Sequence, residues 1–124
     1  MPVTLKNRNG TLTAFIKGEI DHHTVPDIRD AIDDAFVSIE NINVLVLDFY
    51  DVTFMDSSGV GLVMGRYRLA SNYGKKIRVD NLSDRDFKIM QMSGIPKLAE
   101  IKKRNEELLW KKLMNLNWYL TVNQ

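Results

Sequence analysis

Residues 54–68, which read FMDSSGVGLVMGRYR, contain the side chains whose types and spacing could do chemistry. Two adjacent serines, Ser57 and Ser58, follow Asp56 and precede a run that contains three glycines. Serine hydroxyls in this setting have four uses: a hydrolase nucleophile, part of a phosphate-binding loop, a modification site, or a helix N-cap. The neighbouring residues and the surrounding elements decide among these uses.

Two of the four uses, the nucleophile and the phosphate-binding loop, lack their accessory residues. A nucleophile elbow has glycines two residues before and two residues after the serine, whereas Met55 stands in the first of these positions. The serine would also need a base, and His22 and His23 lie together in a loop before the first predicted helix. The GxxxxGKS/T pattern of nucleotide-binding loops is absent. The missing pattern disfavours nucleotide binding, and binding of a small ligand or nucleotide through the glycine-rich loop is kept as the alternative function.

The remaining uses, the cap and the modification site, both place the serines at the start of a helix. Serine is a preferred N-cap, which would leave Ser57 or Ser58 without a further role. The glycines in this helix, Gly59, Gly61 and Gly65, each cost about 1 kcal/mol relative to alanine. Such glycines let a helix pack close to a sheet, or they leave a flat surface that a partner's backbone can approach.

A phosphate on one of these serines would add roughly two negative charges and three acceptor oxygens. Unpaired backbone N–H groups and the helix dipole at the helix N-terminus would accommodate it without unfolding the domain. The surface around the loop would change in charge, with Asp56 already negative beside it. Phosphorylation would therefore switch a docking surface while the fold stays unchanged.

Composition limits the classes of function that the chain can have. Its 124 residues fit one domain, and the absence of cysteine excludes disulfides, thiolate catalysis and thiolate zinc sites. The formal net charge is only +1, with both signs interspersed, so nucleic acid is not expected as a partner. No apolar run approaches the roughly 20 residues that cross a bilayer, and the N-terminus lacks a secretory signal pattern. We expect a soluble, cytoplasmic protein without a membrane interaction or a cofactor.

His22 and His23 do not form a convincing metal site. Neighbouring side chains on an extended loop tend to diverge, and no further ligands cluster with them in the sequence. We expect both histidines to pack within the loop or to face a partner, and we predict no metal.

Hydrophobic periodicity predicts the strands that position the serines. Residues 3–8 and 11–17 alternate on either side of an Asn-Gly pair at 9–10, which predicts an antiparallel hairpin. Residues 43–49 are apolar on both alternating faces, as expected for a central strand covered by helices on its two sides. A further strand is predicted at residues 76–80.

Helices are predicted between these strands. Thr24 with Asp27 has the form of a capping box, and apolar residues recur behind it at helical spacing. A second helix runs from Ser58 to about residue 73, with one apolar face formed by Val60, Val63, Met64, Tyr67 and Ala70. A short third helix follows a cap formed by Ser83 and Asp86. Alternating strands and helices of this length predict an α/β domain with a mostly parallel sheet after an antiparallel start.

Three motifs together resemble a known family. They are the stretch at residues 54–68, GEIDHHT at residues 18–24 and MSG at residues 92–94. The chain resembles the STAS-domain family of anti-sigma factor antagonists, and within it the sporulation branch that acts on the anti-sigma F factor. The similarity extends over residues 3–98, with the motifs in the family's order and spacing. It implies a single STAS domain over residues 1–124, with a small mixed sheet and about four helices.

The resemblance also implies a regulatory protein and not an enzyme. In the family, the serine directly after the aspartate, here Ser57, is phosphorylated by a partner that is both an anti-sigma factor and a serine kinase. The unphosphorylated form binds that partner and releases the sigma factor, the phosphorylated form does not bind, and a PP2C-type phosphatase reverses the modification.

Other site residues are assigned by position in the same family. Asp56 is expected to orient the loop. For Asp21 two roles are expected equally: holding the turn before Thr24, or contacting a partner. Partner binding or loop support is expected of eight residues: Asp21, His22, His23, Thr24, Asp56, Ser58, Gly59 and Gly61.

The end of the chain, about residues 99–124, departs from the family pattern. Family members continue with a short strand and a final helix, whereas Pro96 interrupts the sequence here. Leucines at 109, 113 and 116 lie at helical spacing, so we expect the final helix to be retained. The segment WYLTV at 118–122 is apolar and strand-like. We expect a monomer, unless this segment mediates self-association.

Overall fold

Two antiparallel strands joined by an Asn-Gly turn begin the fold, as the sequence predicts. In the computed structural model, which describes residues 2–105, β1 is Val3–Arg8 and β2 is Thr11–Ile20. Asn9 and Gly10 have φ values of 51° and 85°, the left-handed conformations that a type I′ turn requires. β2 continues beyond its predicted end at residue 17.

The rest of the described chain alternates helices and strands in the order that the periodicity predicts. The elements are α1 (Val25–Ser38), β3 (Val44–Met55), α2 (Ser58–Asn72), β4 (Lys76–Leu82), α3 (Asp84–Met92) and β5 (Glu100–Lys103), with a 3-10 turn at Ile95–Lys97. The five strands form one sheet in chain order, in which only β1 and β2 pair antiparallel. The predicted small, mostly parallel mixed sheet of an α/β domain is confirmed.

β3 is longer than predicted, and this changes where the serine loop begins. The apolar pattern predicts a strand over residues 43–49, but pairing with β2 continues as far as Ile20 and Met55. Two register shifts, between Phe15 and Lys17 and between Gly18 and Glu19, each place one extra residue in β3 and keep the strands paired although the apolar alternation of β3 breaks down. The loop between β3 and α2 consequently shrinks to residues 56–57.

All three helices contribute to one hydrophobic cluster on one face of the sheet. In the central strand β3, Leu45, Leu47 and Phe49 belong to this face and are fully buried. Helix side chains in the same cluster are Ile28, Ile32, Phe36, Leu62, Val63, Ala70 and Met90. The expectation of helices on both sides of β3 is not met by the helices of residues 2–105. Crossover connections between neighbouring parallel strands are right-handed. Because the strands lie in chain order, each crossover places its helix on the same face of the sheet.

The buried face of α2 differs in part from the predicted one. Val63 and Ala70 are buried as predicted, whereas Arg66 is only 6% exposed at a position that the apolar pattern omits. The Arg66 Nε lies 2.7 Å from Oδ1 of Asp33 on α1, and burial raises the pKa of Asp33 against the opposing effect of this guanidinium. The ion pair joins α1 to the helix that carries the serine loop. Other predicted members of the face are partly buried: Val60, Met64 and Tyr67.

Pro96 does not prevent the chain from returning to the sheet. It lies in the 3-10 turn, where a proline is tolerated, and β5 follows in parallel pairing with β4. The predicted final helix and the WYLTV segment lie outside the described residues, so three α-helices are seen where about four were predicted. None of the helices within residues 2–105 is long and apolar enough to span a membrane.

Candidate functional site

The ends of β2 and β3 bring the two sequence motifs side by side. The strands are parallel and pair as far as Ile20 and Met55, and the N–H of Asp56 donates to the carbonyl of Ile20 at 3.1 Å. The loop of residues 21–24 therefore lies beside the loop of residues 56–57. Both loops follow the carboxyl ends of strands, where open α/β sheets commonly build their sites.

Asp56 holds the serine loop. Its Oδ1 accepts a hydrogen bond from the N–H of Ser58 at 2.8 Å, and its carbonyl accepts one from the N–H of Gly59 at 3.0 Å. The Asp56 side chain therefore supports the first turn of α2, and the shape of the loop does not depend on either serine hydroxyl.

Ser57 occupies the N-cap position of α2, but its hydroxyl does not act as a cap. Its backbone angles are φ −61° and ψ −18°, and its side chain makes no capping hydrogen bond. The residue is exposed, so its hydroxyl is accessible to solvent or to a partner. The interpretation of Ser57 as a side-chain cap is wrong, because the carboxylate of Asp56 already binds the first turn.

The N–H groups at the start of α2 are already occupied. Those of Ser58 and Gly59 donate to Asp56, and those of Val60 and Gly61 donate to the carbonyl of Ser57 at 3.1 and 3.4 Å. The prediction that unpaired N–H groups would receive a phosphate is therefore wrong for these four residues. A phosphate on this loop needs other partners.

Asp21 organises the neighbouring loop in place of the predicted capping box. Its Oδ1 accepts hydrogen bonds from the N–H of His23 at 2.8 Å and of Thr24 at 3.0 Å. The bond from the Thr24 N–H holds the pKa of Asp21 below its ordinary value. The Thr24 hydroxyl accepts from the N–H of Asp21 at 3.0 Å and donates to the carbonyl of Glu19 at 2.9 Å. It makes no capping bond, so the predicted box with Asp27 is wrong, although α1 begins where predicted.

His22 and His23 are exposed, and their rings lie against each other. The ring centroids are 3.9 Å apart with an angle of 39° between the planes. The expectation that these side chains diverge is wrong, because the turn held by Asp21 is not extended. Within residues 2–105, no three His, Cys, Asp or Glu side chains gather in a group that could hold a metal ion.

The three glycines of α2 have different surroundings. Gly59 is buried, and a Cβ at this position would overlap the Sδ and Cγ atoms of Met55, which is itself fully buried. A Cβ at Gly61 or Gly65 would meet nothing within 4 Å. Gly59 therefore lets α2 pack on the core, whereas Gly61, one turn along the helix from Ser57, leaves a flat exposed surface.

Arg85 on α3 reaches the same end of β3, although no motif includes it. Its Nη1 donates to the carbonyl of Met55 at 3.0 Å, and its guanidinium lies 5.4 Å from the centroid of the Phe54 ring. Sequence reasoning missed this residue because 30 positions separate it from Met55. A lone arginine in an exposed helical turn gives no signal of such a contact.

Comparison with known proteins identifies relatives of this chain. The family model described as STAS domain matches residues 2–108. An anti-sigma F factor antagonist of Paenibacillus polymyxa is 31% identical over 101 residues, which cover 82% of this chain and 86% of the relative. An anti-sigma-B factor antagonist of Listeria monocytogenes is 32% identical over 94 residues, which cover 76% and 81%. The Bacillus cell fate determinant SpoIIAA, solved in its phosphorylated form, is 30% identical with a TM-score of 0.65, covering 90% and 98%.

Proposed function

We propose that this chain, which belongs to the STAS-domain family of anti-sigma factor antagonists, is a switch controlled by phosphorylation of Ser57. In the unphosphorylated form it binds an anti-sigma factor that is also a serine kinase, and the sigma factor held there is released. Phosphorylation of Ser57 by that kinase blocks binding, and a PP2C-type phosphatase restores it. The protein acts in the cytoplasm as a regulator and not as an enzyme.

The observation that carries this proposal is the state of the Ser57 side chain. The residue is exposed, its hydroxyl makes no capping bond, and Asp56 holds the loop independently of it. A kinase transfers the γ-phosphate of ATP to an accessible hydroxyl, whose proton is accepted by a base of the kinase. Because the kinase also holds the metal and the nucleotide, this chain needs neither. The similarity to SpoIIAA, for which a phosphorylated form is known, supports a phosphoacceptor in this domain.

Charge explains how the modification would block binding. We define the docking surface as Ser57, Gly61 and the neighbouring loop of residues 21–24. A phosphate on Ser57 would add roughly two negative charges to this surface, beside the carboxylate of Asp56. A partner that fits the unphosphorylated surface would then have to bury the unpaired phosphate charge, which costs several kcal/mol at an interface.

Release of sigma factor tests this proposal. The unphosphorylated chain is added to a complex of the cognate kinase-type anti-sigma factor with its sigma factor, and free sigma factor is measured by size-exclusion chromatography. We expect release by the unphosphorylated chain, none after phosphorylation with ATP, and recovery after PP2C treatment. Equal release by both forms, or release by neither, would contradict the proposal.

Binding of a small ligand or nucleotide is the alternative function, and the geometry of α2 does not favour it. The N–H groups of residues 58–61 are occupied within the loop and helix, so they cannot cradle a phosphate as a nucleotide-binding loop does. Calorimetry with ATP and GTP on the chain alone separates the two functions. The switch requires no binding of either nucleotide.

A further inference from the structure

Arg85 lies at the end of β3 and is held there by one of its nitrogens. Nη1 donates to the carbonyl of Met55 at 3.0 Å and lies 3.2 Å from Oδ1 of Asp86, whose side chain is 7% exposed. The guanidinium also lies over the Phe54 ring, a cation–π contact. These contacts restrain an arginine whose side chain is otherwise 59% exposed.

The other edge of this guanidinium is available. A guanidinium has five N–H donors, and among the described residues the hydrogen bonds of Arg85 use Nη1 alone. Nε and Nη2 together form the planar pair of donors that binds phosphate or carboxylate through two parallel hydrogen bonds. The residue therefore combines an anchored position with an unused site for an anion.

The position relative to Ser57 suggests which anion this is. Two residues of chain span at most about 7 Å, so the Met55 carbonyl that anchors Arg85 is close to Ser57. A phosphate on Ser57 cannot use the N–H groups of residues 58–61, which are occupied, and Asp56 beside it is negative. The N–H groups of residues 58–61 thus offer the phosphate no donor, whereas Arg85 is anchored next to the loop with Nε and Nη2 available.

We propose that Arg85 binds the phosphate of phosphorylated Ser57 through Nε and Nη2, while Nη1 stays on the Met55 carbonyl. This inference rests on the proposed function, because it concerns the same serine. The contact would stabilise the dianionic phosphate and hold it at the end of β3. It would add an attachment between α3 and the serine loop that exists only in the phosphorylated form.

A phosphorus NMR titration tests this contact without any kinase. Phosphoserine is installed at position 57 during synthesis of the full chain, and the pKa of its second ionisation is measured. Because a nearby cation favours the dianion, Arg85→Gln should raise this pKa, which corresponds to a loss of about threefold or more in the second ionisation constant. Arg85→Lys keeps the charge without the planar fork and should give an intermediate value.

Lys88→Gln is the matched control, because Lys88 is an exposed cation on the same helix and should leave this pKa unchanged. Asp21, His22, His23 and Asp56 are present in every variant, so their effects on the phosphate cancel.

Thermal unfolding of each unphosphorylated variant identifies a loss of fold, and Arg85→Lys alone tests the contact if Arg85→Gln does not fold. Equal pKa values in the wild type and a folded Arg85 variant would overturn the proposal. The result does not depend on whether a kinase modifies Ser57, so failure of the proposed function is distinguished from failure of this contact.

Discussion

The turn after β2 and the turn after β3 are built alike but treat their hydroxyl groups differently. In each turn an aspartate directly follows the strand, and its Oδ1 accepts the N–H two residues later at 2.8 Å, from His23 in one and Ser58 in the other. The Thr24 hydroxyl in the first turn both donates and accepts hydrogen bonds. The Ser57 hydroxyl in the second turn makes no capping bond. The same aspartate-to-backbone hydrogen bond thus occurs in both turns, but only the Ser57 hydroxyl is left available.

On the proposed function, this difference separates a structural hydroxyl from the one that is modified. Phosphorylation of Thr24 would break the bonds that hold its loop, whereas phosphorylation of Ser57 would break none that the structure shows. A serine that can gain and lose a phosphate many times must leave its loop intact in both states. The turn after β3 meets that requirement because its hydrogen bonds come from Asp56 and the backbone and not from the Ser57 hydroxyl.

The largest expected effect is on binding to the kinase-type anti-sigma factor. Ser57→Asp should weaken the complex about 10-fold to 100-fold, since an aspartate places negative charge on the docking surface, though less than a phosphate does. Calorimetry measures the affinity. Ser71→Asp, at the exposed opposite end of α2, is the control and should bind like the wild type. Undiminished affinity of Ser57→Asp would place Ser57 outside the contact surface.

The glycines of α2 give the next largest effect, in opposite directions. Gly59→Ala should lower the free energy of unfolding by about 1–3 kcal/mol, because the new Cβ overlaps the buried Met55. Gly61→Ala should raise it by up to about 1 kcal/mol, because the site is open and alanine favours the helix. Urea unfolding of both variants measures the difference. Equal effects of the two substitutions would contradict the assignment of packing to Gly59 and of free surface to Gly61.

Removal of each hydroxyl sharpens the comparison of the two turns directly. Thr24→Val should lower the free energy of unfolding by about 1–2 kcal/mol, because two hydrogen bonds are lost. Ser57→Ala should change it by less than about 0.5 kcal/mol and should retain binding to the anti-sigma factor. Both values come from the same urea titration. A large destabilisation by Ser57→Ala would show that its hydroxyl supports the loop after all.

The smallest effect concerns the charge of Asp21. Its pKa is lowered in the folded state, first by the bond from the Thr24 N–H, so its ionisation stabilises the fold at pH values above its ordinary pKa. This stabilisation is lost as the pH falls through the lowered value. The difference in Tm between wild type and Asp21→Asn should therefore shrink between about pH 6 and about pH 3. A constant difference across this range would contradict the role of the charge.

Much of the fold could be predicted because its signals are local. The Asn-Gly pair at 9–10 specifies its turn, and Ser83 caps α3 with its hydroxyl accepting the N–H of Asp86 at 3.1 Å, as its spacing predicts. Helical periodicity likewise located α1 and α2. Such patterns depend on residues that are neighbours in sequence.

The contacts of the candidate site could not be predicted, because they join segments distant in sequence. Asp56 is attached to Ile20 through the parallel pairing of β2 with β3, and Arg85 on α3 reaches the Met55 carbonyl at the carboxyl end of β3. The residue types of Thr24 and Asp27 fit a capping box, yet the Thr24 hydroxyl donates to the carbonyl of Glu19. Glu19 is placed there because β2 continues further than its apolar pattern indicates. The sequence motifs located the two loops, whereas the pairing of β2 with β3 determined which contacts their side chains make.

The most direct test of the central claim is to map the phosphate after reaction with the cognate kinase. The full chain is incubated with the kinase and ATP, digested, and analysed by mass spectrometry, with activity of the kinase verified by ATP turnover. We predict a single phosphate on Ser57 and none on Thr24 or Ser58. Phosphate on Thr24 or Ser58 in place of Ser57, or no phosphate with an active kinase, would contradict the account.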